Sequence, residues 1–312
     1  MLTLREDVPY FEHDRNVVLA NDDVELVLPT EFGPRIMRYA LHGGDNVLSE
    51  ISPRAQKKST SYGDDWHIYG GHRLWYAPEH EERSYYPDNR PVRLARTPDG
   101  LHLTQEVESH TGIEKHLVVE LATRGSHVTV RHRLENRGQT THELAPWALS
   151  AMAPGGRAIF PHPAFRPHPD ALAPARPLVL WPFTRMSDPR WHWGDRFFTL
   201  RQDRARTDPQ KVGFYDPLGY MAYALGDVLF LKCHTPRRGA HADFGCNGET
   251  FTNELFLEIE TLGPLGTLAP GDSVEHLEHW FLFPSVNIGT SDDEIERALA
   301  PCLAEAEAVL RG

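Results

Sequence analysis

Apolar and polar residues alternate in short runs over the first half of the chain. In the segment 23–28 every second residue is apolar, at Val24, Leu26 and Leu28, which is the pattern of a half-buried strand. Similar runs follow at 35–41, 92–95, 101–107, 114–122 and 128–134. Turn-forming residues separate them, and the gaps are too short for crossover helices. The pattern therefore predicts an antiparallel, all-β architecture.

The segment 154–190 breaks this pattern because prolines recur throughout it. Proline lacks a backbone donor and fixes φ, so we expect a long surface excursion with at most short edge strands. This excursion would either cover a functional site or mediate contacts in a homodimer. Strands are predicted to resume at 197–200, 219–225, 228–232, 254–262 and 274–283. Since the same pattern lies on both sides, we expect a single domain over residues 1–312.

Only the C-terminal segment, 291–311, has the pattern of a helix. Ser291 and Glu294 form a capping box, and the acidic residues between them complement the helix dipole. Pro301 falls inside the pattern and predicts a kink or a restart of the helix. We expect this helix to pack against the sheet and to carry no chemistry.

The composition restricts the function. The chain has 312 residues and a net charge of −12, which repels nucleic acids and anionic lipid surfaces. No apolar run approaches the roughly 20 residues that span a bilayer. Cys233, Cys246 and Cys302 match neither a disulfide framework nor a metal site, so we expect reduced thiols in a cytoplasmic protein. Nucleotide-binding and metal-ligand spacings are also missing, so we expect no cofactor and no metal.

The densest polar and aromatic cluster, 65–79, surrounds the pair Gly70-Gly71. Its candidate site residues are Trp66, His67, His72, Arg73, Trp75 and Glu79. Tryptophan faces stack on the C–H faces of a pyranose, and arginine and histidine donate hydrogen bonds to hydroxyls. Paired glycines also let the backbone approach a ligand closely. The alternative is a glycine turn whose aromatic residues fill the core.

A second candidate lies in the strand predicted at 254–262. There Glu254, Glu258 and Glu260 would share one face, opposite apolar residues. Neighbouring carboxylates are costly unless their face is solvated or meets a polar ligand. The row predicts either a solvated sheet edge or a surface on which one glutamate acts as a general base.

The order of several motifs resembles that of aldose 1-epimerases, the galactose mutarotase-like proteins. The motifs are Glu-Phe-Gly-Pro-Arg-Ile at 31–36, Gly-Gly-His-Arg-Leu-Trp at 70–75, Glu-Asn-Arg-Gly at 135–138, Leu-Ala-Pro-Trp-Ala at 144–148, Glu-Ile-Glu-Thr-Leu at 258–262 and Ala-Pro-Gly-Asp at 269–272. The resemblance covers most of the chain and implies a β supersandwich of two large, mainly antiparallel sheets that holds a small carbohydrate. It further implies that Arg35, Arg73, Trp75 and Trp147 lie beside the sugar.

In this family a glutamate removes the proton of the anomeric hydroxyl while a histidine protonates the ring oxygen. The match to the family's closing Glu-Thr segment implies Glu260 as the base, with Glu258 as the alternative. Where the family has its acid histidine, this chain has Pro146-Trp147. The acid role would then fall to another histidine, namely His67, His72 or His234. The resemblance implies aldose epimerisation, and the net charge of −12 favours a neutral over a phosphorylated sugar.

Two alternatives stay open. Without an acid histidine in reach, the protein would bind sugars but not interconvert them. An open groove lined by Trp66, Trp191 and Trp193 would instead favour a lyase or hydrolase acting on an oligosaccharide. The last two tryptophans are equally suited to anchoring the proline-rich segment in the core.

Overall fold

Antiparallel strands are the main regular elements of the computed structural model, which describes all 312 residues. The first thirteen strands are β1 (Thr3–Tyr10), β2 (His13–Ala20), β3 (Val24–Pro29), β4 (Arg35–Ile36), β5 (Arg38–Leu41), β6 (Lys57–Ser59), β7 (Asp65–His67), β8 (His72–Ala77), β9 (Arg93–Thr97), β10 (Gly100–Thr104), β11 (Ile113–Leu121), β12 (Val128–Asn136) and β13 (His142–Met152). The others are β14 (Arg157–Pro161), β15 (Leu178–Leu180), β16 (Trp191–Trp193), β17 (Phe197–Arg201), β18 (Gln210–Phe214), β19 (Tyr220–Leu225), β20 (Val228–His234), β21 (Gly248–Thr252), β22 (Leu257–Leu262), β23 (Gly266–Leu268) and β24 (Ser273–Phe283). The helices are α1 (Glu81–Ser84), α2 (Ala242–Gly245) and α3 (Asp292–Arg311). The predicted all-β class with a C-terminal helix is confirmed.

Two large sheets form the body of the molecule. The first has ten strands in the order β16-β17-β14-β19-β20-β24-β12-β11-β10-β9. The second has eight strands in the order β15-β18-β21-β22-β13-β8-β4, with β23 paired to β13. β1, β2, β3 and β5 form a separate four-stranded sheet. The largest apolar core joins side chains of both large sheets, such as Trp280 of β24 and Ile259 of β22, so the sheets pack face to face.

β22 lies in the interior of the eight-stranded sheet, between β21 and β13. Glu258 and Glu260 are both buried there, so the prediction of a solvated edge is wrong. The strand begins at Leu257, three residues later than expected, because the Asn253 side chain accepts a hydrogen bond from the Leu255 amide and closes a turn. Glu254 therefore lies outside the strand and does not share its face.

The proline-rich segment crosses between the two large sheets. β14 lies in the interior of the ten-stranded sheet, so the expectation of edge strands alone is wrong there. Residues 158–160 are free of proline and fully buried, which allows this pairing. β15 and β16 are edge strands of the second and the first sheet, respectively. The segment thus leaves the first sheet, joins the edge of the second and returns.

Helix α3 has the predicted capping box, in which the Ser291 and Glu294 side chains each accept from the other's backbone amide. It runs through Pro301 as one helix. Its buried residues, Ile295 among them, pack on apolar side chains of the ten-stranded sheet such as Phe281. None of the three helices combines the length and the apolar character needed to cross a lipid bilayer.

Candidate functional site

The candidate site lies on one face of the eight-stranded sheet. Along β8, Arg73 and Trp75 line a cavity on this face, whereas His72 contacts His132 of the other sheet. Successive side chains on a strand project to opposite faces, which separates these neighbours. β13 contributes Trp147 to the same cavity, and β22 contributes Glu258.

The cavity has a volume of about 330 Å³, and eight of its 18 lining residues are aromatic. Its rings are those of Trp66, Trp75, Tyr85, Trp147, Trp181, Phe183, Phe251 and Phe256. Its charged side chains are those of Lys57, Lys58, Arg73, Glu79, Lys211 and Glu258. Trp181 and Phe183 belong to the proline-rich segment, which therefore forms part of the wall. Aromatic faces with a few convergent polar groups suit a ligand that is apolar on its faces and polar at its edge.

Arg73 and Glu258 form a buried ion pair in this cavity. Arg73 Nη1 donates a hydrogen bond to Glu258 Oε1 at 2.8 Å, and the two side chains are 4% and 8% exposed. The guanidinium also lies over the Trp75 ring, 4.4 Å from its centroid. Arg73 Nε has no hydrogen-bond partner in the protein. A buried donor without an acceptor is destabilising, so this ion pair is suited to a ligand that supplies a hydrogen-bond acceptor for Arg73 Nε.

Lys211 of β18 lies at another part of the cavity wall. Its ammonium is sandwiched between the Trp147 and Trp181 rings, 4.7 and 4.6 Å from their centroids. Lys211 Nζ is 2.7 Å from Glu249 Oε2 and 3.8 Å from Glu260 Oε2. Burial opposes the charge, but these two carboxylates raise the pKa of Lys211, so the ammonium stays protonated.

Glu249 and Glu260 share this single ammonium. Burial raises the pKa of Glu249 to about 7 and that of Glu260 to about 8, against the opposing effect of Lys211. Glu260 Oε2 accepts a hydrogen bond from Trp147 Nε1 at 2.8 Å. Glu260 is fully buried and lies behind the cavity wall, whereas Glu258 lies in the wall itself.

The glycine pair has a role within the protein. Gly70 and Gly71 have φ values of 84° and 67°, and a Cβ on either would overlap a backbone carbonyl oxygen of another segment. The close approach is therefore between two parts of this chain. Arg35 is fully buried, pairs with Asp88 at 2.9 Å and donates to the Gly70 carbonyl oxygen at 2.9 Å. It stabilises this turn and does not line the cavity.

His72 lies in the core between the large sheets. Its Nε2 is 2.6 Å from His132 Nε2, and its Nδ1 is 2.8 Å from Ser150 Oγ. Burial lowers the pKa of His72 well below the usual value, so the imidazole is neutral at pH 7.

The other two candidate histidines also lie away from the cavity. His234 is buried, with its Nε2 3.3 Å from Asp216 Oδ2. His67 Nδ1 is 2.8 Å from the Pro53 carbonyl oxygen. The cavity wall thus contains no histidine.

Trp191 and Trp193 do not join Trp66 in a groove. Trp191 is buried in the main core, and Trp193 stacks between Trp191 and Phe198 at centroid distances of 5.0 and 5.5 Å. These two tryptophans therefore occupy the position expected of an anchor for the proline-rich segment.

The cavity combines six residues that the sequence singled out with others that it did not. The six are Trp66, Arg73, Trp75, Glu79, Trp147 and Glu258. Sequence reasoning missed Lys211, Glu249 and Trp181. Two aromatic residues, Trp181 and Phe183, occur close together in a proline-rich segment, and this pattern could have indicated a binding site. A single lysine or glutamate in a strand gives no such indication.

Two clusters have ligand atoms close enough to hold a metal ion. They are His72, His132 and Glu278, and Glu114, His116 and Glu135. In the first, Glu278 Oε1 already pairs with Lys232 Nζ at 3.0 Å, so a dication would add uncompensated charge to the core. In the second, both carboxylates pair with arginines. Neither cluster lies at the cavity.

No family model matches the sequence, and no curated protein matches it either. Solved structures do share its fold. A galactose mutarotase-like protein from Lactobacillus casei is 11% identical, with 86% of this chain and 100% of that chain covered and a TM-score of 0.54. A galactose mutarotase-like protein from Clostridium acetobutylicum is 10% identical, with 91% and 99% covered and a TM-score of 0.53.

A TPR-domain containing protein from Parabacteroides distasonis is also similar, with 15% identity, 89% of this chain covered and a TM-score of 0.57. The present chain spans about half of that protein, 49% of its length. At these identities the likeness establishes the fold. The chain has the galactose mutarotase-like fold, as the order of its motifs predicted.

Proposed function

We propose that the aromatic cavity binds a small carbohydrate and that the protein interconverts the anomers of an aldose. One observation carries the proposal: an aromatic cavity holds the Glu258–Arg73 ion pair and the Lys211 ammonium in the same wall. The aromatic faces provide stacking surfaces for a pyranose, and the charged groups provide donors and an acceptor for its oxygens. The solved structures of the same fold from Lactobacillus casei and Clostridium acetobutylicum are described as galactose mutarotase-like, which supports this class of ligand.

In the proposed reaction Glu258 takes the proton of the anomeric hydroxyl as the bond between C1 and the ring oxygen breaks. Lys211 donates a hydrogen bond to the ring oxygen and passes its proton to it. Rotation about the C1–C2 bond presents the other face of the aldehyde. On closure the C5 hydroxyl returns its proton to Lys211 while Glu258 returns its proton to the new anomeric oxygen, so no atoms or charges are gained or lost. Arg73 orients Glu258 and donates to a neighbouring sugar oxygen.

This proposal assigns to Lys211 the part that a histidine plays in the family that the sequence resembles. The support is positional, since Lys211 lines the cavity and His67, His72 and His234 do not. The three cysteines are free thiols, which supports the expected cytoplasmic location.

Anomer exchange measured by proton NMR on a panel of free and phosphorylated aldoses tests the proposal. The wild-type protein should accelerate exchange of at least one sugar, and Glu258→Gln should reduce that rate on the order of 10²-fold or more. Glu254→Gln is the matched control, because Glu254 lines a separate groove of about 1040 Å³ and should leave the rate unchanged. No acceleration for any sugar would overturn the catalytic proposal.

The second candidate is carbohydrate binding without turnover, which the absence of histidine from the cavity wall favours. It predicts that calorimetry detects saccharide binding, that NMR detects no faster exchange, and that Trp75→Ala abolishes the binding. The two measurements on one protein sample separate the candidates.

A further inference from the structure

Glu258 and Glu260 project from the same face of β22, yet only Glu258 lines the cavity. Glu260 is fully buried, and one of its oxygens, Oε2, accepts from Trp147 Nε1. Glu260 Oε1 has no partner. A substrate in the cavity meets Trp147 first, so Glu260 cannot reach an anomeric hydroxyl in this arrangement.

We infer that Glu260 is a positioning residue that holds Trp147 and Lys211 in place at the cavity wall. This inference rests on the proposed function, because it leaves Glu258 as the reactive carboxylate. It goes beyond that function by giving the second glutamate of β22 a separate role.

Two contacts fix the orientation of the Trp147 ring. Trp147 packs edge-on against Trp75 at a centroid distance of 5.5 Å, so the orientation of one ring limits the other. The hydrogen bond to Glu260 fixes the edge of the Trp147 ring that points away from the ligand. An indole donates through Nε1 alone, so this bond also selects one of the two faces that Trp147 can present.

The charged groups around Glu260 fix the position of the Lys211 ammonium. Lys211, Glu249, Glu258 and Lys232 all interact electrostatically with Glu260. Lys211 is the only cation within ion-pair distance of Glu260, and it is closer to Glu249. Together the Glu249 and Glu260 carboxylates hold the Lys211 ammonium on the side away from the cavity. The remaining N–H groups of Lys211 therefore point toward the cavity.

A sugar-free experiment tests the positioning role. The seven tryptophans are labelled with 5-fluorotryptophan, and Trp147→Phe assigns the Trp147 fluorine signal. Between pH 6 and 9.5 the Trp147 signal should shift with a midpoint near the Glu260 pKa of about 8, and Glu260→Gln should abolish the shift. Glu260→Leu removes the acceptor of the Trp147 N–H and should move the Trp147 signal at every pH, and a Trp147 signal that stays at its wild-type position in Glu260→Leu overturns the inference.

Turnover supplies the second readout. Glu260→Gln keeps an acceptor for Trp147 and should keep most of the anomer exchange, while Glu260→Leu removes the acceptor and should raise KM more than it lowers kcat. In a Trp147→Phe background, which has no indole N–H, the difference between the Gln and Leu variants should shrink. Loss of turnover in Glu260→Gln equal to that in Glu258→Gln would make Glu260 the base and overturn the inference. If the wild-type protein has no turnover, the proposed function fails and the fluorine titration still decides the role of Glu260.

Discussion

Charged groups are buried on both sides of the eight-stranded sheet, in the core that it shares with the ten-stranded sheet and at the cavity, but they are satisfied differently. On the core face Glu278 pairs with Lys232 at 3.0 Å and accepts further hydrogen bonds from Thr261 and Trp280. On the cavity face Arg73 Nε and Glu260 Oε1 have no partner. Buried polar groups are normally paired, so the unpaired Arg73 Nε in the cavity wall is open to a hydrogen-bond acceptor on a ligand.

The pH responses of the two faces are also opposite. Burial lowers the pKa of His72 and His276 on the core side, so their contribution to stability is lost as the pH falls below 6.5. Burial raises the pKa of Glu249 and Glu260 behind the cavity, so stability is lost as the pH rises from 4.5 toward 7 to 8. The core between the two large sheets thus holds a neutral, closed network, and the cavity side of the eight-stranded sheet holds an incompletely neutralised one.

The largest expected effect comes from breaking the closed network. Glu278→Leu leaves Lys232 buried without a counter-charge and should lower the free energy of unfolding by about 3–5 kcal/mol. Denaturant unfolding measures this, and Lys232→Met combined with Glu278→Leu is the control that should recover most of the loss. An unchanged unfolding midpoint in the single variant would show that the Glu278–Lys232 pair does not stabilise the core.

A smaller effect on the free energy of unfolding is expected for substitution of His72, which the sequence predicted as a candidate acid. His72→Gln can still hydrogen-bond with Ser150 and His132, and should lower the free energy of unfolding by about 1–3 kcal/mol. Anomer exchange, measured by NMR below the unfolding temperature, should persist in this variant. Loss of exchange with unchanged stability would return His72 to the catalytic site.

The smallest expected effect, counted over a single pH unit, is a pH-dependent difference in stability. Glu260 binds a proton more tightly in the folded state, so between pH 4.5 and about 8 only the unfolded chain ionises at this residue, and the wild-type protein loses about 1 kcal/mol of stability per pH unit. Glu260→Gln lacks this cost. Urea unfolding at pH 5, 6, 7 and 8 should therefore show the variant gaining stability relative to wild type as the pH rises. A constant difference would mean that Glu260 is already ionised and fully paired.

Much of the fold follows from local pattern, because alternation and turn residues act over a few positions. The capping box of α3 and the strands at 114–122 and 128–134 are close to their predicted bounds. β1 was not predicted, since it carries charges at 5–7 and most of its residues are exposed.

The site depends on contacts that a linear pattern does not contain. Alternation assigns Glu258 and Glu260 to one face, but their different exposure arises because Trp147 of the neighbouring strand packs over Glu260. Likewise, Arg73 and His72 are adjacent in sequence, and only the packing of the ten-stranded sheet decides which of them enters the core. Lys211 reaches the cavity through the order of strands, which places β18 beside β21.

A structure of the protein with a bound saccharide would show which side chains contact the anomeric and ring oxygens. We expect a pyranose in the aromatic cavity, with its anomeric oxygen within about 2.6–3.2 Å of a Glu258 carboxylate oxygen and its ring oxygen facing Lys211. A sugar bound in the groove that contains Glu254, or a ring oxygen facing a histidine, would contradict it.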